Sequence, residues 1–526
     1  MSERPGPVTA GVPDQTRPAP AGLPAVVGFA VAVGDSAAAV PPPRLAMAGP
    51  RLPLTGAGAG PAWTGWVVAG SAGSGALAAA GAQAGFAPAR DGDVRVLLAG
   101  ELYNREELLR ALGEDAPATG TDAELLLALW ARYGESALRL LNGRYALLLG
   151  DGRRLLAAAD HAASVPLYLA VRTGPGAGSG GRSAGAVAEL RVATEAKALY
   201  ALGLTPRRVP AGTALRLDLG AADPEPVPLR TWTPPLSRLL LDGRRAVDEV
   251  RARLSRAVER RVLGPGAPTV VLSGGIDSSA VAALTSARRD GTGTVTLGTD
   301  AADEFAAARL VADHLGTRHE EYTLDAEQLV ADLAWAVWAV EITDPDVLEY
   351  LLPLVSLYRT LPGPPRRILT GYGADIPLGG MHRDTVALAE LDRVLADDMA
   401  TFDGLNELAP ALSGIAGHWT THPYWDREVL DLLVSLEPGL KRREGTDKWV
   451  LREAFTGLLP AETVRRRKLG VHEGTGTSST WTRLLRESGV PGPEVRQAKQ
   501  AVAGRLHRLL VEADGHPADA GAAVPV

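Results

Sequence analysis

The chain has 526 residues, 46% hydrophobic and 22% charged, with a formal net charge of −7, enough for two or three soluble domains with cores of their own. The acidic balance and the lack of a basic stripe exclude nucleic acid as an expected partner, and no apolar run is long enough to cross a membrane. Cysteine is absent, which removes disulfides, thiolate metal sites and any cysteine nucleophile.

Residues 1–24 are rich in Pro, Gly and Thr without periodicity, and read as a disordered tail. They contain no signal-peptide hydrophobic stretch, so the cytoplasm is the expected location. A first strand is expected from Ala25 to Val33. The Gly/Ala-rich stretch Gly56–Gly85 and the Gly/Ser run Gly174–Gly181 read as loops or insertions. Between them, Val94–Leu98, Tyr145–Leu149 and Arg154–Ala158 read as strands and Asp122–Tyr133 as a helix. Together these segments point to a layered α+β domain over 25–218. The Pro-rich stretch 219–243 reads as a linker. Over 244–510 the pattern alternates. Strand Thr269–Leu272 precedes a helix from Ala280 to Arg288, then strand Gly293–Gly298, helix Asp303–His314, strand Glu320–Leu324, helix Ala326–Val340 and strand Ile368–Thr370. Such alternation implies a doubly wound parallel sheet, with ligands beyond the carboxyl ends of its strands. That rule gathers Asp277, Asp300 and Asp375 around one crevice. Residues 511–526 read as a second disordered tail.

The run Leu272-Ser-Gly-Gly-Ile-Asp-Ser-Ser279 carries the strongest chemistry. A strand, a Gly274-Gly275 turn and a hydroxyl-rich helix start together leave backbone N–H groups and a helix dipole facing a multiply charged phosphate. The chain contains no G-x-x-x-x-G-K-[ST], so this is not a Walker A loop. It resembles the pyrophosphate loop of ATP pyrophosphatases, which split ATP between the α and β phosphates and leave AMP on a substrate. The chain has five lysines against 49 arginines, and three of the five, Lys441, Lys448 and Lys468, fall in one short stretch. The spacing of His382, His418, His422 and His472 fits no usual zinc pattern.

With Gly371-Tyr-Gly-Ala-Asp375 added, the chain resembles the class B asparagine synthetases, and within them the β-lactam synthetases of clavam biosynthesis. The most specific stretches are Ile368–Arg383, His418–Arg443 and Lys468–Gly476. The resemblance implies an N-terminal Ntn-hydrolase-like layered α+β domain followed by an α/β ATP-pyrophosphatase-type synthetase domain. The matches in the first half are Gly100-Glu-Leu-Tyr-Asn104, Leu141-Asn-Gly-Arg-Tyr145, Pro166-Leu-Tyr168 and Thr194-Glu-Ala-Lys197. The nucleophilic cysteine of that half is missing, so an inactive glutaminase is expected, and the nitrogen nucleophile must already sit on the substrate.

The reaction the resemblance implies consumes ATP and N2-(2-carboxyethyl)-L-arginine. It gives the β-lactam deoxyguanidinoproclavaminate, AMP and pyrophosphate. Asp277 and Asp375 would hold Mg²⁺. Ser273, Gly274, Gly275 and Ser278 would hold phosphates, Lys448 would add a phosphate contact, and Val271, Leu297 and Gly298 would lie near the adenosine. Tyr372 and Ile376 stand where asparagine synthetases usually carry the acids of E-G-A-D-E. Tyr372, oriented by Glu407, would be the general base, and Lys468 would stabilise the oxyanion. Tyr350, Tyr372, Gly373, Asp398 and Glu407 would line the substrate pocket, Asp398 facing the guanidinium. A homodimer is left open. The alternatives are an asparagine synthetase-like or carbapenam synthetase-like ligase on another substrate, and a catalytically dead binding protein.

Overall fold

The computed structural model describes residues 26–33, 43–48, 54–58, 63–69, 86–88, 94–117, 121–151, 153–173, 187–219, 225–235, 238–239, 241–263, 266–364, 366–380, 385–401, 407–467 and 469–522. The expected tail over 1–24, the run Gly174–Gly181 and Lys468 lie outside them.

The N-terminal strands are β1 (Val26–Val33), β2 (Leu54–Gly58), β3 (Trp63–Ala69), β4 (Phe86–Pro88), β5 (Arg95–Leu102) and β6 (Gly143–Gly150). They continue with β7 (Arg154–Ala159), β8 (Tyr168–Thr173), β9 (Val187–Ala193), β10 (Arg207–Arg208), β11 (Thr213–Asp218) and β12 (Val227–Arg230). They form two antiparallel sheets, in the orders β10-β8-β9-β1-β3-β2 and β12-β11-β7-β6-β5-β4. Alternation along the strands explains the layering. Phe29, Val31 and Val33 of β1 meet Leu97, Leu148 and Leu155 in a core between the sheets. The other face of the second sheet, with Val96, Leu98 and Leu147, is covered by helices Arg105–Leu112 and Asp122–Tyr133. The second helix opens on a capping box, Thr121 with Glu124, and covers the expected span.

Two expectations fail here. Leu54–Gly58 and Trp63–Ala69, within or beside the stretch read as a loop, pair as strands: a Gly/Ala-rich composition weakens but does not forbid pairing of the first, and the second carries Trp, Thr and Val, which favour strands. Val227–Arg230, within the segment read as linker, adds an edge strand to β11, and its Pro228 is tolerated at the edge.

The C-terminal sheet is parallel throughout: β13 (Thr269–Val271), β14 (Gly293–Thr299), β15 (Arg318–Leu324), β16 (Arg367–Thr370) and β17 (Trp419–Thr421), in the order β15-β14-β13-β16-β17. One face, with Val270 and Leu369, packs on helices Gly243–Arg261, Ile276–Ser286 and Trp449–Phe455. The other, with Val295, Leu297 and Ile368, packs on helices Ala326–Val340 and Pro345–Thr360. This second core also takes in Val27, Ala30, Tyr168 and Ala193 of the first antiparallel sheet, so one apolar layer serves both halves. The strand order reverses at β13, and the crevice of a doubly wound sheet lies at that switch point.

The expected disordered tail over 511–526 is corrected for its described part. Arg508–Glu512 and Pro517–Ala522 are helical turns, His516 packs edge-on against Trp335 and Trp338, and Ala520 is buried. A small-residue tail orders when its few rings find an aromatic surface. No described helix is long and apolar enough to cross a membrane.

Candidate active site

The loop after β13 lies at the switch point. Helix Ile276–Ser286 starts four residues earlier than its expected beginning at Ala280, because Gly275 takes the extended cap conformation and no side chain caps the helix. Asp277 and Ser278 therefore sit in the first turn, where backbone N–H groups are unsatisfied by the helix itself, while the Ser279 N–H already donates to the Gly275 carbonyl at 3.0 Å. The Ser278 hydroxyl receives the Ser273 N–H at 3.1 Å and lies 3.1 Å from the Ser273 hydroxyl, closing the turn on itself. Gly274 has φ +70°, and a Cβ there would overlap the backbone of Ala307. Only glycine fits. Gly371, after β16, lies so close to the first turn that a Cβ would strike the backbone of Asp277 and Ser278. The two loops that flank the switch point thus touch.

Two carboxylates meet one ammonium between these loops. Lys448 Nζ is 2.6 Å from Asp277 Oδ2 and 2.5 Å from Asp375 Oδ1. Lys448 is fully buried, and its backbone is left-handed at φ +53°, a sparsely populated region for a non-glycine residue. A Cβ at Gly380 would overlap both Asp375 Oδ1 and the Lys448 side chain, so this cradle is closely packed. The Lys448 ammonium is committed to the carboxylates rather than held out toward solvent. The donor set, two hard carboxylate oxygens drawn to one positive charge, fits a hard divalent cation that shares or displaces the ammonium.

Beyond β16 the chain turns through Tyr372 and Gly373. Gly373 has φ +95° and a Cβ there would overlap the indole nitrogen of Trp425. The Tyr372 hydroxyl donates to Glu407 Oε2. Tyr350 also hydrogen-bonds Glu407, so two phenols converge on one carboxyl. Burial pushes Glu407 up to about 7, against which the Tyr350 hydrogen bond acts only in part. Burial first, and then the Glu407 charge, push the Tyr350 phenol far above its usual range. The Tyr372 N–H donates to the Thr370 hydroxyl at 3.2 Å, which lies 2.7 Å from Nδ1 of His422. The His422 ring stands edge-on to Tyr372 at 5.8 Å. Burial, with Arg144 and Arg261 nearby, holds His422 well below its usual pKa, so it is neutral.

The structure brings together Ser273, Gly274, Gly275, Asp277, Ser278, Asp375 and Lys448 at one end of the sheet, and Tyr350, Tyr372, Gly373 and Glu407 beside it. Val271 ends β13, while Leu297 and Gly298 lie near the end of the adjoining β14. Asp398 is half-buried on helix Leu391–Thr401. Asp300, expected at the crevice, pairs instead with Arg483 at 3.0 Å on the surface.

A protein-family model described as "Asparagine synthase" matches residues 249–413 and 403–513, and one described as "Glutamine amidotransferase domain" matches 74–179. The chain is 54% identical over 439 residues to the carboxyethyl-arginine beta-lactam-synthase of Streptomyces clavuligerus, covering 80% of this chain and 82% of that protein. It is 27% identical over 420 residues to asparagine synthetase B (glutamine-hydrolyzing) of Escherichia coli strain K12, covering 74% and 71%. Among solved structures, the glutamine phosphoribosylpyrophosphate amidotransferase of B. subtilis complexed with ADP and GMP aligns at a TM-score of 0.26 and 16% identity, over 56% of this chain and 59% of that one.

The chain belongs to the asparagine synthase family. It is an ATP-dependent, amide-forming ligase of that family, with an amidotransferase-type domain ahead of a parallel-sheet synthetase domain.

Three features of this synthase were not foreseen from sequence. Arg466 donates to the carbonyl of Ser273 at 2.7 Å and pairs with buried Glu304 at 3.0 Å, bracing the loop from behind. It is the middle residue of Arg465-Arg466-Arg467, and nothing local in the sequence marks it. Thr370 and His422 behind Tyr372 were equally hidden, since one precedes a glycine turn and the other lies 52 residues away. The second phenol on Glu407, Tyr350, is expected from sequence in the pocket but not in the pair.

Proposed function

We propose that the chain closes a β-lactam ring by ATP-dependent intramolecular amide formation. The substrate is N2-(2-carboxyethyl)-L-arginine and the products are deoxyguanidinoproclavaminate, AMP and pyrophosphate. The relative at 54% identity bears the name of that synthase, which supports the choice of substrate. The observation that carries the reading is the Tyr372–Glu407 hydrogen bond beside the Asp277–Lys448–Asp375 cluster. It sets a proton acceptor next to a phosphate-type loop.

The 273–279 loop takes the β and γ phosphates, with Val271, Leu297 and Gly298 toward the adenosine. Asp277 and Asp375 hold Mg²⁺, which when bound neutralises triphosphate charge and supplies Lewis acidity. The substrate carboxylate attacks the α-phosphorus, forming an acyl adenylate and releasing pyrophosphate. The secondary amine of the same molecule then attacks the acyl carbon. Its N–H proton passes to the Tyr372–Glu407 pair, the N–C bond forms, and the C–O bond to AMP breaks. Tethering gives this attack a large advantage, since well-placed intramolecular reactions reach effective molarities of about 10⁵–10⁸ M. Lys468 stabilises the oxyanion, Tyr350 and Gly373 shape the pocket, and Asp398 receives the guanidinium as a charge-assisted pair.

The first domain has no cysteine and works as structure rather than as a glutaminase. The enzyme is cytoplasmic. Lys468→Met separates the two half-reactions. Substrate-dependent ATP–pyrophosphate exchange is expected to persist while ring closure falls about 10²–10³-fold. Equal loss of both would remove Lys468 from the second step.

A further inference from the structure

Several charged groups of the N-terminal domain reach the synthetase half, Glu101 to Arg367 and Lys197 to Glu341 among them, and one touches the segment beside Glu407. Arg144, on β6, is buried, and its guanidinium donates to the backbone carbonyls of Thr420 and Leu408. It also lies over the Trp419 ring, 4.9 Å from the ring centroid. Leu408 follows Glu407 directly, and Thr420 belongs to β17, the strand beside β16. A second contact comes from the same side. The loop after β7 places Ala162 in a small apolar cluster with Met399, Leu408, Trp425 and Leu430, against which Tyr372 also packs. That loop is held by Asp160, whose carboxylate receives the N–H groups of Tyr145, Ala162 and Ser164, and His161 Nε2 lies 2.7 Å from the Trp425 carbonyl.

Burying a guanidinium is costly, and its bonds here go to carbonyls rather than to a carboxylate. An apolar side chain of similar volume would avoid that cost but leave both buried carbonyls without their donor. What an apolar side chain does not supply is a rigid fork that fixes two carbonyls from different segments at once. We infer that Arg144 is a positioning residue for ring closure: it reaches across from the amidotransferase-type domain and sets Glu407 against Tyr372. The domain without a nucleophile thereby contributes to the second half-reaction. This inference rests on the proposed cyclisation and deepens it.

The test uses the full chain with Arg144→Met and Arg144→Lys. Tyr103→Phe, which removes a hydrogen bond to Thr421 across the same interface, serves as control. Three quantities are read: substrate-dependent ATP–pyrophosphate exchange, rate of ring closure, and amide hydrogen exchange of the peptide covering 407–412. In Arg144→Met, ring closure is expected to fall about 100-fold, the scale of an ångström-level misplacement. Pyrophosphate exchange should stay near wild type, and the 407–412 amides should exchange faster. Arg144→Lys keeps the charge but not the fork, so the same pattern in weaker form is expected; it carries the test should Arg144→Met not fold. Tyr103→Phe should leave all three near wild type. Parallel loss of both half-reactions, or unchanged exchange at 407–412, would overturn the inference. If the wild type itself does not cyclise, the proposed function falls, and the hydrogen-exchange comparison alone still decides whether Arg144 holds this segment.

Discussion

The hydroxyl of Tyr372 donates to Glu407, a carboxyl that burial has raised to about 7. Glu407 accepts that hydrogen bond fully only when ionised. Ring closure is therefore expected to rise with pH through about 7 and level off above it. ATP–pyrophosphate exchange, which does not use the pair, should be flat over the same range. Rate profiles of both half-reactions check this. A shared acid limb would place the titration elsewhere.

The same shift has a consequence for stability, with its sign set by linkage. A carboxyl raised from 4.5 to about 7 binds its proton more tightly in the folded chain. Its contribution is fully present below about 4.5 and is lost as pH rises through about 7. Glu407→Gln removes that loss. The variant is expected to be more stable than wild type at pH 8 by about 1–3 kcal/mol, with the gap closing toward pH 4.5. Urea melts across pH measure it, and the variant should have lost ring closure.

Lys448 balances two carboxylates, the buried Asp277 and the partly exposed Asp375, and removing it leaves them facing each other. Lys448→Met is expected to cost about 3–5 kcal/mol and to abolish adenylation. Because Asp277 and Asp375 suit a hard cation, added Mg²⁺ should recover part of that stability, and more than it adds to wild type. Thermal melts with and without Mg²⁺ decide it. Absence of any Mg²⁺ response in the variant would count against these two residues as the ligands.

Gly274 adopts a positive φ with the Ala307 backbone where a Cβ would be. Gly274→Ala combines backbone strain of about 1–3 kcal/mol with a displaced loop. Exchange of pyrophosphate and ring closure should fail together, unlike the variants at Tyr372, Glu407 or Arg144. Retained exchange would mean the turn tolerates the shift.

How much of this was legible in the sequence follows from what each residue depends on. The helices Asp122–Tyr133 and Ala326–Val340 were readable to the residue because local caps, Thr121 and Asp325, coincide with a change in hydrophobic period. The parallel sheet was readable from alternation, and the 273–279 loop from its own chemistry. Strands β2 and β3 were not: Leu54–Gly58 carries no period and lies against β3, and the Trp and Val residues of β3, which lies against β1, sit in a stretch whose average composition is Gly/Ala. Tyr372 and Glu407 were paired through the family resemblance, not through spacing. Arg144 and Arg466 were invisible, because what distinguishes them is a carbonyl contributed by a distant segment.

Joining the halves by one core has a direct consequence. Val27, Ala30 and Tyr168 share an apolar layer with Leu348, Val355 and Trp419. Deleting residues 1–230 bares that layer, and the fragment is expected to be insoluble. A soluble fragment with full pyrophosphate exchange and ring closure would refute both the packing role and the part assigned to Arg144.

The most direct measurement supplies purified protein with ATP, Mg²⁺ and N2-(2-carboxyethyl)-L-arginine, then follows pyrophosphate and the mass of the arginine derivative. Pyrophosphate and a product lighter by one water are expected in equal amounts, with Tyr372→Phe releasing pyrophosphate but forming little ring. Pyrophosphate without dehydrated product from the wild type, or no pyrophosphate at all, would contradict it.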